Sequence, residues 1–199
     1  MTARSKSDAE FRQMSKTDIP QLLEIERASF RAPWDENRFL EALNPRSGCK
    51  SVVLEDDGRV LGYFVVEIRA NSLHISNLAV HAKHRRQGHA SRCLAAINQL
   101  ALKAFEIARS RDPVDLQPVA KRSAKFARAT PDQVVEGEPA REGEIYLEVE
   151  ESNLPAQLLY RKMNYQAVEI LRNYYPSFHE DGYKMSRKVT LPSVKPSLD

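Results

Sequence analysis

From Leu78 to Ser91 the chain reads Leu-Ala-Val-His-Ala-Lys-His-Arg-Arg-Gln-Gly-His-Ala-Ser, an apolar strand end that passes through a basic turn into a long helical pattern. The unpaired N–H groups at a helix start, backed by the helix dipole, can hold a phosphate or pyrophosphate. Gly88 lets backbone approach such an anion closely, Ala90 lets the helix sit tightly on the strand, and Lys83, Arg85 and Arg86 add charge. Taken alone, Arg-Gln-Gly fits a solvated loop before an ordinary helix better. A second feature is the run Ile145 to Glu150, where strand alternation puts Ile145, Leu147 and Val149 on one face and Tyr146, Glu148 and Glu150 on the other. Glu148 can there accept a proton, or simply face solvent. Third, Asn153 and Tyr160 are two helical turns apart and share a face. Asn153 is also a natural helix cap, and Tyr160 lies on the stripe Ala156, Leu159, Tyr160, Met163, which suits a core aromatic.

Other chemistry-bearing residues carry less. His74, His81, His84, His89 and His179 have no Cys, Asp or Glu partners at metal-ligand spacing, so no metal site is expected and most should be surface histidines. Cys93 reads as a small buried hydrophobe rather than a nucleophile.

These residues need elements to hold them. Thr17 or Asp18 should cap a helix through Leu22, Leu23, Ile25 and Ala28, and Asp35 a second through Phe39, Leu40 and Leu43, with Pro33 and Trp34 between. Ser51 to Glu55 and Val60 to Ile68 should form a hairpin about Asp57-Gly58, with Ser72 to Val80 as the next strand. The long helix should run from about Gly88 to Arg109, on a narrow stripe of Ala90, Leu94, Ile97, Ala101, Ala104 and Ala108. Residues 110–143 carry Pro113, Pro118, Pro131 and Pro139 and read as an inserted surface loop with a short helix near Ala120 to Ala129. A strand Glu144 to Val149, a helix Pro155 to Met163, a strand Tyr165 to Leu171 and a strand Tyr183 to Val189 follow. The expected fold class is α/β, a single domain over 9–189 whose sheet is largely antiparallel, with a loose arm at 1–8 and a tail at 190–199.

The chain has 199 residues, 42% of them hydrophobic and 29% charged, enough for one ordinary domain core. Its net charge of +3 is too balanced for a dedicated nucleic-acid binder, so no direct nucleic-acid contact is expected. Two cysteines, a polar start and no apolar run near the ~20 residues of a membrane span point to a cytoplasmic protein without a membrane partner.

Arg85-Arg86-Gln87-Gly88-His89-Ala90, following Asn77-Leu78-Ala79-Val80, resembles the acetyl-CoA motif of the Gcn5-related N-acetyltransferases (GNAT), Gln/Arg-x-x-Gly-x-Gly/Ala. Three further blocks, in order, are similar to the RimI-like branch, the ribosomal-protein N-terminal alanine acetyltransferases. They are Phe30-Arg31-Ala32-Pro33-Trp34-Asp35 with the preceding Glu26 to Ser29, Leu147-Glu148-Val149-Glu150-Glu151-Ser152-Asn153 with Ala156 and Leu159-Tyr160, and Arg172-Asn173-Tyr174-Tyr175-Pro176. The chain departs from the pattern at Glu150, where the family has Arg, and at Asn164-Tyr165, where it has Gly-Phe. Asn is the commonest substitute for glycine in a left-handed cap, so Asn164 should preserve the turn.

The resemblance implies a central sheet splayed in its middle, with acetyl-CoA as cosubstrate and no metal. Leu78, Ala79, Val80, Arg85, Arg86, Gln87, Gly88, His89, Ala90, Ser91 and Asn153 would bind the cosubstrate, with an N–H near Leu78 to Val80 stabilising the oxyanion. Glu148 would be the general base, Tyr160 would give its phenolic proton to the departing thiolate, and Trp34, Tyr174 and Tyr175 would wall a peptide groove. The implied acceptor is a protein N-terminal α-amine, with a small-subunit ribosomal protein leading. The alternatives are a small-molecule amine or lysine on the same scaffold, or a non-catalytic acyl-CoA-binding domain.

Overall fold

The computed structural model describes residues 9–110 and 142–191. Its elements in chain order are β1 (Glu10–Gln13), α1 (Ile19–Ser29), α2 (Glu36–Leu43), β2 (Cys49–Asp56), β3 (Arg59–Ile68), β4 (Ser72–Val80), α3 (His89–Ser110), β5 (Glu142–Glu150), α4 (Leu154–Lys162), β6 (Gln166–Tyr175) and β7 (Glu180–Thr190). One sheet of seven strands runs in the order β1-β2-β3-β4-β5-β7-β6. Every neighbouring pair is antiparallel except β4 with β5.

Most elements form where the sequence expects them. Asp57 and Gly58 both have positive φ, 49° and 73°, as the tight β2–β3 hairpin requires. The Asp35 carboxylate accepts from Arg38 N at 2.9 Å and caps α2. Asp18 is different. It is already helical in backbone and does not cap α1; its carboxylate accepts from Ser15 N at 2.7 Å and forms a two-pronged pair with Arg12, both bonds 2.8 Å. Arg12 belongs to β1, an edge strand of four residues too short to show alternation, and it also reaches Glu55 on β2. Thr190 and Leu191 belong to the fold rather than to a tail: Thr190 ends β7 and Leu191 is buried. The short helix expected near Ala120 to Ala129 lies outside the described residues.

Two apolar layers cover the sheet. Cys93, Leu94, Ile97, Ala101 and Phe105 of α3 pack with Leu73, Ile75, Ile145, Leu147 and Met185 on one face. Leu22 and Ile25 of α1 and Phe39 of α2 pack with Val53, Tyr63, Val65 and Ala79 on the other. Phe105 takes a place that the alanine pattern of α3 hides. A Cβ at Gly143 would stand 2.3 Å from the buried Phe105 ring, so β5 approaches α3 here only because this residue has no side chain. Gly143→Ala is expected to cost about 1–3 kcal/mol by overpacking, seen as a lower urea midpoint with an unchanged m-value.

Two irregularities shape the middle of the sheet. β4 and β5 pair only from Ser72↔Glu144 to His74↔Tyr146, and past that point the strands part. On the other side of β4 the register slips between Val65 and Val66, leaving Ser76 as the extra residue between Ile75↔Val66 and Asn77↔Val65. The bulge reverses the alternation, so Ile75 faces α3 whereas Asn77 and Ala79 face α1.

Candidate active site

The basic turn leaves β4 at Val80 and reaches α3 through a short 3-10 turn, Ala82–His84. Arg86 and Gly88 have left-handed backbone, φ 61° and 87°. Nothing of the protein lies within 4 Å of a Cβ placed on Gly88, so its φ, not crowding, calls for glycine. The helix that follows presents its first N–H groups, from His89, Ala90 and Ser91, without intrahelical acceptors. Arg85, expected among the anion-binding side chains, turns away: its guanidinium donates to Val80 O at 3.1 Å, Ala28 O at 3.2 Å and Ser29 Oγ at 2.8 Å. It ties the turn to α1, and Arg86 and Lys83 are left as exposed cations of the turn. The His89 ring is buried beneath the turn, which leaves its backbone as the part that can face an anion.

Where β4 and β5 part, Glu148 projects from the face opposite Leu147 and Val149, as alternation requires. Its Oε2 lies 2.7 Å from His74 Nε2. The His74 ring stacks on Tyr146 at 4.8 Å and 18°, and the Lys184 ammonium sits 4.9 Å over the other partner of that stack, Tyr146. Ser76 Oγ, on the bulge, lies 3.4 Å from Glu67 and 3.5 Å from His74 Nδ1. A carboxylate and an imidazole thus meet at the end of the parallel ladder.

Two of the aromatic residues expected around the acceptor, Tyr174 and Tyr175, lie near Glu148. Tyr174 and Tyr175 end β6, ring to ring at 5.1 Å and 82°. Burial, with the charge of Glu148 close by, pushes the Tyr174 hydroxyl up to about 12, and burial beside Tyr174 and Glu150 pushes Tyr175 up as well. Gly182 on β7 makes room for them, since a Cβ there would stand 3.1 Å from the Tyr175 ring. Trp34 packs edge-on against Phe39 at 5.4 Å, and the Arg38 guanidinium covers it at 4.5 Å. Arg31, in the same segment between α1 and α2, pairs with Glu180 and with Glu150 (3.5 Å) and lies over Phe178 at 4.2 Å. The Glu150 carboxylate is therefore met by a cation from the segment between α1 and α2. Glu180 also accepts from Ser152 N, and these bonds draw its carboxyl down to about 2.

On α4, Asn153 Oδ1 accepts from Ala156 N at 3.3 Å, so the cap is real. Tyr160 is packed in the core layer with Ala156, Leu159 and Met163, and burial pushes its hydroxyl up to about 12. Asn164 has φ 65° and keeps the left-handed turn, with Tyr165 N bonded to Tyr160 O at 3.0 Å. Cys93 is fully buried and its thiol is pushed up to about 12, which removes a thiolate nucleophile at neutral pH.

The histidines depart from expectation. Only His179 of the five is exposed. His74 is the functional candidate that sequence reasoning passed over. Its signal was present in the alternation Leu73-His74-Ile75, which puts it on the same kind of face as Glu148. Among the described residues no group of three His, Cys, Asp or Glu could hold a metal, and no helix is long and apolar enough to cross a membrane.

Comparison with known proteins bears on this geometry. Residues 19–111 match the model of the acetyltransferase (GNAT) family. A Bacillus subtilis (strain 168) protein with the provisional name of a ribosomal protein bS18 alanine N-acetyltransferase is 29% identical over 180 residues, 90% of this chain and 95% of its own. An N-alpha-acetyltransferase of Sulfurisphaera tokodaii is 26% identical over 196 residues, 92% of this chain and 95% of its own. In fold, the chain matches the ribosomal-protein-S18-alanine N-acetyltransferase of Escherichia coli with TM-score 0.65 at 20% identity, over 96% of this chain and 99% of that one. It also matches Arabidopsis thaliana NAA60 in complex with acetyl-CoA with TM-score 0.63 at 18% identity, over 91% and 98%. With a left-handed glycine turn at the start of α3 and a sheet split beside Glu148, the chain is an N-acetyltransferase that matches the GNAT family model over residues 19–111 and is similar to the RimI-like members in sequence and fold.

Proposed function

We propose that this enzyme transfers the acetyl group of acetyl-CoA to the α-amine of a protein N-terminus, with a small-subunit ribosomal protein as the leading acceptor. The observation that carries the reading is the Glu148–His74 pair at the mouth of the split sheet, with Tyr174 beside Glu148. The relatives named for ribosomal protein bS18 and for N-alpha acetylation support the acceptor class. In this reading Arg86 and the N–H groups of Gly88, His89, Ala90 and Ser91 hold the pyrophosphate, with Gln87 in the same turn. Asn153 lies along the pantetheine arm, which enters the split beside Leu78, Ala79 and Val80.

The Glu148–His74 contact supports the following proton steps. An amine attacks only as its free base, so the ammonium proton must leave first. Glu148 Oε2 is engaged by His74, and the other oxygen takes that proton directly or through water. With Glu148 ionised, His74 Nε2–H donates, which fixes the plane of the carboxylate. In this reading the Tyr160 hydroxyl meets the departing sulfur. A phenol held near 12 gives its proton to a thiolate of conjugate-acid pKa about 8.5 only uphill, so Tyr160 acts as a hydrogen-bond donor that steadies the thiolate. Transfer is direct, without an acyl-enzyme.

The acceptor can be tested against its competitors. A peptide α-amine has a pKa of about 8 and a lysine side chain about 10.4, so near neutral pH the α-amine offers roughly two orders of magnitude more free base. Trp34, Tyr174 and Tyr175 close around the first residues of an extended peptide and leave little room for the chain on both sides of an internal lysine. Peptides starting with Ala or Ser should release thiol from acetyl-CoA and carry acetyl on the α-amine, and α-blocked lysine peptides should react hardly at all. Mass spectrometry that places the acetyl mainly on lysine, or a small amine preferred over every peptide, would overturn the acceptor and leave the acetyltransferase standing.

A further inference from the structure

Glu26 is a carboxylate with no exposed surface, and among the described residues no cation pairs with it. Burial raises its pKa, against the pull of the Trp34 N–H, Asn77 and, at longer range, Arg38. The other buried acid, Asp18, has Arg12 against it; Glu26 has instead three donors from three elements. Its Oε2 accepts from Trp34 N at 2.6 Å, and its Oε1 accepts from Asn77 Nδ2 at 3.0 Å and from the Tyr63 hydroxyl. Side-chain contacts complete a ring: Trp34 packs edge-on against Phe39, and Phe39 packs edge-on against Tyr63 at 5.6 Å and 74°.

We propose that Glu26 is a positioning residue for the acceptor groove, an internal latch that fixes the Trp34 segment to β4 at Asn77. A carboxylate suits the post because it only accepts, and both oxygens are used at once. The place is specific. Trp34 follows the turn between α1 and α2 and has few regular backbone partners, whereas Asn77 stands just after the bulge and just before Leu78 to Val80. The bond therefore sets one wall of the acceptor groove relative to the strand beside which the acetyl group is to lie. The bulge at Ser76 is what turns Asn77 towards Glu26, so two irregular features serve one contact. A carboxyl group is kept in the core because an apolar residue of equal size would pack but could not hold the Trp34 N–H.

The part of this inference that concerns peptides rests on the acceptor reading above; the part that concerns Trp34 does not. Trp34 is the single tryptophan of the chain, so its emission reports the latch directly. In Glu26→Leu, the emission should move to the red and become more open to iodide quenching. The peptide KM should rise about tenfold or more while the KM for acetyl-CoA stays within about twofold. Glu26→Gln keeps an oxygen for the Trp34 N–H if Asn77 and Tyr63 turn over, and should show the same selective pattern at smaller amplitude; where the leucine variant does not fold, this variant decides. Wild-type emission and peptide KM in a folded variant would overturn the latch, as would an acetyl-CoA KM that rises as far as the peptide KM. Wild-type enzyme that ignores all peptides would sink the acceptor reading, and the Trp34 emission would still decide the latch.

Discussion

Glu148→Gln should lower kcat near neutral pH by about 10²–10⁴-fold, the usual worth of a positioned general base, with acetyl-CoA affinity unchanged. Glutamine has the same shape and its amide oxygen can still accept from His74 Nε2–H, so the 2.7 Å contact survives and the sheet keeps its split. What is lost is the group that takes the ammonium proton. The sign with pH follows from the acceptor. An α-amine of pKa about 8 gains free base tenfold per pH unit below that value, so the variant should recover part of its rate as pH rises and level off above about 8. Tyr160→Phe is the companion. It should leave acetyl-CoA binding near normal and slow transfer, because the ring still fills its place in the core and only the donor to sulfur has gone. Wild-type turnover and pH profile in Glu148→Gln would sink the base assignment and leave water as the acceptor of the proton.

How far this site could be read from sequence differs residue by residue. Glu148 was legible because one strand suffices: three apolar residues at alternate positions fix its face. The turn at Gly88 was legible because strand end, glycine and helix start are consecutive. His74 was not, because its meaning depends on β4 lying beside β5, and the two are joined through a long helix and the segment 110–143 that sequence does not fold by pattern. The same holds for Asp18, whose partner Arg12 belongs to an edge strand of four residues. Arg85 was misplaced for a related reason. Charge beside a phosphate turn looks alike whether it faces the anion or the neighbouring helix, and only the carbonyl of Ala28 and the hydroxyl of Ser29 show which. Local chemistry was visible, and pairings across the sheet were not.

Those limits make the anion turn the sharpest place to test the cosubstrate. Gly88→Asp should weaken acetyl-CoA binding by roughly two orders of magnitude, since a unit charge ~5 Å from a phosphate charge costs about 3 kcal/mol at an effective dielectric of 20. Two effects are combined in that substitution, and Gly88→Ala separates them. A side chain at φ 87° is strained, but its Cβ meets nothing of the protein, so alanine should cost a little stability and only a small part of the affinity. The remainder in the aspartate variant is charge, and it should shrink as salt is added. Calorimetry on the folded variants reads both. Because Arg85 is tied to α1, Arg86 and Lys83 are the exposed cations left at the turn, and Arg86→Ala should lose affinity whereas Arg85→Ala should lose mainly stability. Unchanged acetyl-CoA affinity in a folded Gly88→Asp variant would mean that the start of α3 does not hold the pyrophosphate, and the cosubstrate would have to enter the split sheet by another edge.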